Sequence, residues 1–122
     1  MDLQVLRNIE QFGSLLRLPR IKVEDVLEIH KFPYGLRLEV IDNRLMLTSW
    51  LIDIRDLDLK SALKLNQPER FRGLPHRIFT IKDQLFISTY CPPKFDAYQW
   101  FEVCKKQREF LMQLAGEKNL CQ

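Results

Sequence analysis

The sequence predicts an α+β domain in which an antiparallel sheet is flanked by helices, in the order α-β-β-β-α-β-β-α. Three observations carry that expectation. Apolar residues recur at intervals of three and four at both ends of the chain, which is the spacing of amphipathic helices. Between those ends lie short runs that alternate apolar and polar residues, the period of a half-buried strand, with turn residues separating them. The length of 122 residues, 46% hydrophobic, 29% charged and 11% aromatic, suits one core and a single domain over 1–122.

The first helix is expected over Asp2 to Leu18, where Leu3, Leu6, Ile9, Phe12 and Leu16 share a face and Pro19 stops the run. Gly13 inside it costs about 1 kcal/mol relative to Ala, so either a close packing contact requires it or the last turn is loose. A strand begins at Val26, with Leu27 and Ile29 alternating with acids and His30 up to Phe32, and Pro33-Tyr34-Gly35 reads as the turn after it. Leu36, Leu38 and Val40 form a second strand, Asp42-Asn43-Arg44 turns, and Leu45 to Ile52 returns as a nearly continuous apolar strand. These three make a meander.

A short helix is expected over Asp56 to Leu65, with Asp56 or Asp58 as its cap, followed by a long connection from Asn66 to Pro75. Arg77 to Ile81 and Leu85 to Tyr90 flank Lys82-Asp83-Gln84 as a tight hairpin, and Cys91-Pro92-Pro93 ends its second strand. Asp96 then caps a long helix with Ala97, Trp100, Phe101, Cys104, Leu111, Leu114 and Ala115 on one stripe and Gly116 as its expected terminator.

Composition excludes several classes. Four Gly and six Pro rule out low-complexity and collagenous chains, and no window repeats at a solenoid period. The longest uncharged stretch, Gln84 to Pro93, is far short of the ~20 apolar residues of a membrane helix. Asp2, Arg7 and Glu10 do not fit a signal peptide, so a cytosolic protein is expected. Cys91, Cys104 and Cys121 match neither a disulfide framework nor a zinc pair and read as reduced thiols, Cys104 in the core and Cys121 at the surface. The net charge of +3 is unevenly spread: residues 24–58 carry eight acids and four bases, whereas residues 60–82 carry six bases and one acid. The basic stretch favours an acidic or phosphate-bearing partner.

Catalytic constellations are hard to assemble from these residues. A nucleophile needs a base beside it, and the two histidines read as a solvent-face residue (His30) and a strand-entry residue (His76). Asp53, Asp56 and Asp58 lack the turning glycine of a calcium loop and are better explained by helix capping. No enzyme activity, metal or cofactor is therefore expected. Arg70-Phe71-Arg72-Gly73, with Arg77 and Lys82 nearby, is the one interleaving of bases and aromatics, and it supports an alternative reading as a small nucleic-acid-binding domain. Against it stands an acidic stretch of similar size. Leu57, Leu59, Leu63 and Leu65 exceed what one face of so short a helix can bury, which implies either a pairing surface or a helix pressed between the sheet and its own connection. The same two readings attach to Trp50, Phe86 and Tyr90, which alternation allows either to point away from the helices toward a partner or to pack within the fold.

Four blocks carry a resemblance. They are Arg7-Asn8-Ile9 with Phe12, Leu15 and Leu18; Gly73-Leu74-Pro75 with Arg77-Ile78-Phe79, Ile81-Lys82-Asp83 and Leu85; the Pro92-Pro93 pair; and Trp100-Phe101 with Arg108 and Phe110-Leu111. Together they resemble the small type III secretion regulators of the SsaM/CesL family, most nearly its CesL members, over nearly the whole length. The resemblance implies the fold of class I secretion chaperones and a non-catalytic, cytoplasmic role at the cytosolic face of the secretion apparatus. It implies two partners, a SepL-like gatekeeper and a second small chaperone of the SepD kind, or a homodimer when the chain is alone. It also implies control of the order in which translocators and effectors leave. On that reading Leu57, Leu59 and Leu63 with Leu85, Phe86 and Tyr90 are the expected pairing residues, and Leu3, Leu6 and Phe12 the expected gatekeeper contacts. The sequence pI of about 8.8 departs from the acidic character common in such chaperones and points to an acidic partner.

Overall fold

Asp2 opens the first helix by accepting a hydrogen bond at 2.8 Å from the backbone N–H of Val5, and α1 runs from Leu3 to Leu15. It buries Val5, Ile9, Phe12 and Gly13. The expected stop at Pro19 comes too late. Arg17 takes a left-handed conformation (φ 59°), its N–H reaches the Ser14 carbonyl, and the Leu18 N–H reaches that of Gly13, so the last carbonyls are satisfied and the helix closes at Leu15. The structure, a computed structural model, describes residues 1–20 and 22–120, with side chains described as far as 116. Cys121, read above as a surface thiol, lies outside the described residues.

Strands β1 (Val26–Lys31), β2 (Tyr34–Ile41), β3 (Arg44–Leu51), β4 (Arg77–Ile81) and β5 (Gln84–Tyr90) form one antiparallel sheet in the order β1-β2-β3-β5-β4. The Asp42-Asn43 and Lys82-Asp83 turns hold both residues at positive φ, the two-residue geometry that matches strand twist. The first turn differs from its expected position. It is Phe32-Pro33, with a cis peptide, while Tyr34 and Gly35 already belong to β2. Gly35 is needed for space rather than for a turn, because a Cβ there would collide with the indole of Trp50, its cross-strand neighbour.

Asp58 caps α2 (Leu59–Leu65), accepting from the Ser61 N–H at 3.1 Å and the Ser61 hydroxyl at 2.6 Å. These bonds hold its carboxyl below the usual range. The helix is thus shorter than the expected Asp56 to Leu65. Within the long connection, Pro68–Phe71 forms a 3-10 turn that the sequence reading missed. Asp96 and Gln99 close a reciprocal box, 3.1 Å from the Gln99 N–H to Asp96 Oδ1 and 2.8 Å from the Asp96 N–H to Gln99 Oε1, and α3 runs from Ala97 to Leu120. Gly116 therefore lies inside this helix and does not end it. Burial of Phe110, Leu111, Leu114 and Ala115 carries the helix through the glycine at a propensity cost of about 1 kcal/mol.

Helices α1 and α3 pack together on one face of the sheet, and α2 lies beside β4. Two clusters fill the space between helices and sheet. One joins Ile9 and Phe12 of α1 to Leu36, Leu38, Leu45, Leu47, Trp100 and Cys104, and the other joins Leu51, Leu57, Ala62, Phe71, Leu85 and Ile87 to the second half of α3. At their seam Ser49 and Gln107, both fully buried, meet at 2.6 Å, and Gln107 Nε2 donates to the Leu47 carbonyl at 3.2 Å.

Candidate partner-binding surfaces

Among the described residues no helix packs on the opposite face of the sheet, and that face is aromatic. Alternation from Leu47, Ser49 and Leu51, which point into the core, turns Trp50 outward, and the same parity in β5 and β4 turns Phe86 and Phe79 outward. Their rings form a continuous cluster: Trp50 to Phe86 at 5.4 Å, Phe86 stacked on Phe79 at 5.3 Å, and His30 edge-on to Trp50 at 6.0 Å. Arg44 covers the Tyr90 ring at 3.8 Å, and the Tyr90 hydroxyl donates to the Ile41 carbonyl at 2.8 Å. Thr48 and Ser88 exchange a 2.8 Å bond between the strands. Two shallow concavities of about 590 and 510 Å³ open on this face. Charge runs across it by strand, with Glu28 and Glu39 on β1 and β2, and Arg55, Arg77 and Lys82 around the β4–β5 end. Arg37 and His30 pair with those acids at 3.0 and 2.8 Å.

The expected pairing residues divide. Leu59 and Leu63 of α2 are 38% and 56% exposed, and Phe86 and Tyr90 are half-buried on the aromatic face. Leu57 and Leu85 belong to the core, at 5% and 0% exposure, because the chain before α2 folds inward and Leu85 has the opposite strand parity to Phe86. In the single chain they are not available to a partner. The expected gatekeeper contacts divide likewise. Leu3 is 60% exposed and Leu6 half-buried, whereas Phe12 is 1% exposed and packs edge-on to Trp100 at 6.1 Å. Strand β1 is an edge of the sheet, paired with β2 alone, while the other edge, β4, has α2 beside it. The sequence reading missed the edge position of β1, which strand order decides.

Burial holds two thiols and one imidazole in their neutral forms. Burial pushes the Cys91 thiol up to about 12, against a smaller opposing pull from Arg44, and also raises Cys104. Burial lowers His76 to about 4, and its ring stacks on Phe71 at 3.7 Å. Phe71 itself is 5% exposed, so the aromatic in Arg70-Phe71-Arg72 offers no ring to a nucleobase. Among the described residues no group of three or more His, Cys, Asp and Glu could hold a metal ion, and no helix is long and apolar enough to cross a membrane.

Comparison with known proteins places this architecture. A chain of the HopA1–SchA chaperone–effector complex superposes with a TM-score of 0.68 at 12% identity, over 93% of this chain and 97% of that one. A chain of the ExoT–SpcS complex from Pseudomonas aeruginosa gives 0.63 at 18% identity, over 96% and 98%. YbjN from E. coli gives 0.51 at 12% identity, over 94% and 91%. No curated protein sequence matches significantly. The model of the SsaM family matches residues 2–114, so the chain belongs to that family and has the α+β fold of the type III secretion chaperones.

Proposed function

We propose that the protein is a non-catalytic type III secretion chaperone and regulator of the CesL kind. It binds a SepL-like gatekeeper together with a second small, SepD-like chaperone and helps hold back effectors until translocators have been exported. The observation that carries this reading is the aromatic sheet face on which no described helix packs, together with the exposed Leu59 and Leu63 of α2, on a chain of the SsaM family. A face of clustered Trp, Phe and Tyr has the composition of an interface core. It serves the second chaperone, or a second copy when the chain is alone. The β1 edge takes an extended gatekeeper segment by main-chain pairing, with Leu3 and Leu6 of α1 as apolar contacts. Phe12 acts through the packing of α1, and Leu57 and Leu85 through the core beneath the pairing surface. The cytosolic face of the secretion apparatus is where such a complex works.

The test is recovery of the tagged protein from its own cytosol in moderate salt, with mass spectrometry and light scattering of the eluate. A gatekeeper and a second small chaperone in fixed ratio are expected. Leu63→Asp should stay folded and lose the second chaperone. Elution alone, or with nucleic acid that salt removes, would overturn the reading.

A further inference from the structure

Strand register lays a row of residues straight across the outward face of the sheet: Glu28, Arg37, Thr48, Ser88 and Arg77, each opposite the next. The row is acidic at the β1 edge and basic at the β4 edge. Its centre is neutral, where the Thr48 and Ser88 hydroxyls bond each other at 2.8 Å. On the acidic side both carboxylates are engaged, Glu28 with His30 at 2.8 Å and Glu39 with Arg37 at 3.0 Å. On the basic side Arg77 has no acid within ion-pair distance among the described residues.

Arg44 also lacks an acid there. Its Nε donates to the Cys91 carbonyl at 3.0 Å and its guanidinium lies 3.8 Å over the Tyr90 ring, so the plane of the group is fixed before any partner arrives. The terminal nitrogens of the fork remain available to an acceptor. Tyr90 stands two residues along β5 from Ser88, which faces Arg77, and both arginines border the cavity of about 590 Å³ on this face. Met46, Leu74, Pro75, Phe79 and Pro92 give that cavity apolar walls. Glu39 is the only acid among its described lining residues, and it is the one held by Arg37.

Two unpaired cations, one of them preorganised, thus sit beside walls that exclude water and strengthen charge attraction. A planar fork of this kind matches a carboxylate. A phosphate chain would carry its next charges toward Glu28 and Glu39 on the same face, and a second copy of this chain would bring only carboxylates that are already engaged. We propose that the cavity receives an Asp or Glu side chain of the second small chaperone, its carboxylate held between Arg44 and Arg77, so that these two arginines select an unlike partner over a second copy. The inference rests on the chaperone reading above and adds to it which residues choose the partner.

The second chaperone that co-purifies with the full chain is the probe. Its affinity is measured by calorimetry at about 0.1 M and about 0.5 M salt for the wild-type chain, Arg77→Met, Arg44→Lys and, as a control at an exposed position outside the sheet, Arg20→Met. Arg77→Met and Arg44→Lys are each expected to weaken binding by about tenfold or more at the lower salt, with the gap to wild type narrowing at the higher, and Arg20→Met to match wild type. The Arg77 side chain is exposed, so its variant tests the site even if Arg44→Lys disturbs the fold. If the chaperone binds and Arg77→Met matches wild type, the cavity is not the anchor and the chaperone reading stands. Self-association of the chain, or salt-sensitive binding of a mixed-sequence oligonucleotide, that Arg77→Met abolishes would give the cavity a different occupant and overturn the proposal. Failure of any second chaperone to co-purify overturns both.

Discussion

The Ser49–Gln107 pair offers the sharpest test of how this fold is held together. It is a polar contact at the seam of two apolar clusters, and both side chains are out of water, at 1% and 0% exposure. Ser49→Ala removes the hydroxyl that donates at 2.6 Å and leaves Gln107 Oε1 unsatisfied in the core. A buried acceptor without a partner costs about 1–3 kcal/mol. Gln107→Leu keeps much of the volume but orphans the Ser49 hydroxyl and removes the 3.2 Å bond to the Leu47 carbonyl, a loss of similar size, ~1–3 kcal/mol. The double variant has neither orphan, and leucine then bridges the two clusters with apolar contact. Its cost should fall below the sum of the single costs by about 1 kcal/mol or more. Urea unfolding of the four proteins measures this, with each kcal/mol worth roughly 3–6 °C in Tm for a domain of this size. Single costs that add to within about 0.5 kcal/mol would refute the coupling and with it the role of the pair in registering α3 on the sheet.

Other predictions concern single residues. Gly35→Ala drives a methyl group into the Trp50 indole; a loss of about 1–3 kcal/mol and a shifted tryptophan emission are expected, and unchanged emission would count against the contact. His76 has a folded pKa of about 4 against an ordinary value of 6.5, so between those pH values the unfolded chain binds more protons than the folded one. Its contribution is complete above pH 6.5 and is lost as pH falls toward 4, by up to about 3 kcal/mol. In His76→Phe the stability difference between about pH 7 and pH 4.5 should shrink by that amount, and an unchanged difference would refute the assignment. Cys91 and Cys104 should resist a thiol reagent at about pH 8 until denaturant is added; rapid modification of all three cysteines in the folded chain would contradict their burial.

Where the hydrophobic period was strong, the sequence was enough. Alternation in Val26 to Phe32, Leu36 to Val40 and Leu45 to Leu51, and the turn pairs Asp42-Asn43 and Lys82-Asp83, placed all five strands to within a residue or two. The start of α3 was legible because Asp96 caps it through a bond reaching three residues ahead, whereas the choice between Asp56 and Asp58 at α2 was settled only by the Asp58–Ser61 bond. Helix ends were not legible, because they depend on the backbone just beyond the helix and on the packing of its last turns. Leu15 is last because Arg17 adopts a left-handed turn, and Gly116 is passed because the preceding side chains are buried.

The surfaces needed the tertiary structure. Parity along one strand says that Phe86 and Leu85 face opposite ways, but only the packing of α1 and α3 on a single face decides which of them meets solvent. The leucines around α2 were read as more than one core face can bury, and their division into buried Leu57, which precedes the helix, and exposed Leu59 and Leu63 comes from the path of the chain before α2. The arginine-bordered cavity on the sheet face had no signal in the sequence, since its wall joins β2, β3, the connection before β4 and the Pro92 end of β5, segments far apart along the chain. Local periodicity is a property of neighbouring residues, and it determined the elements. Exposure, edges and orphaned polar atoms are properties of what packs against an element, and only the assembled chain decides them.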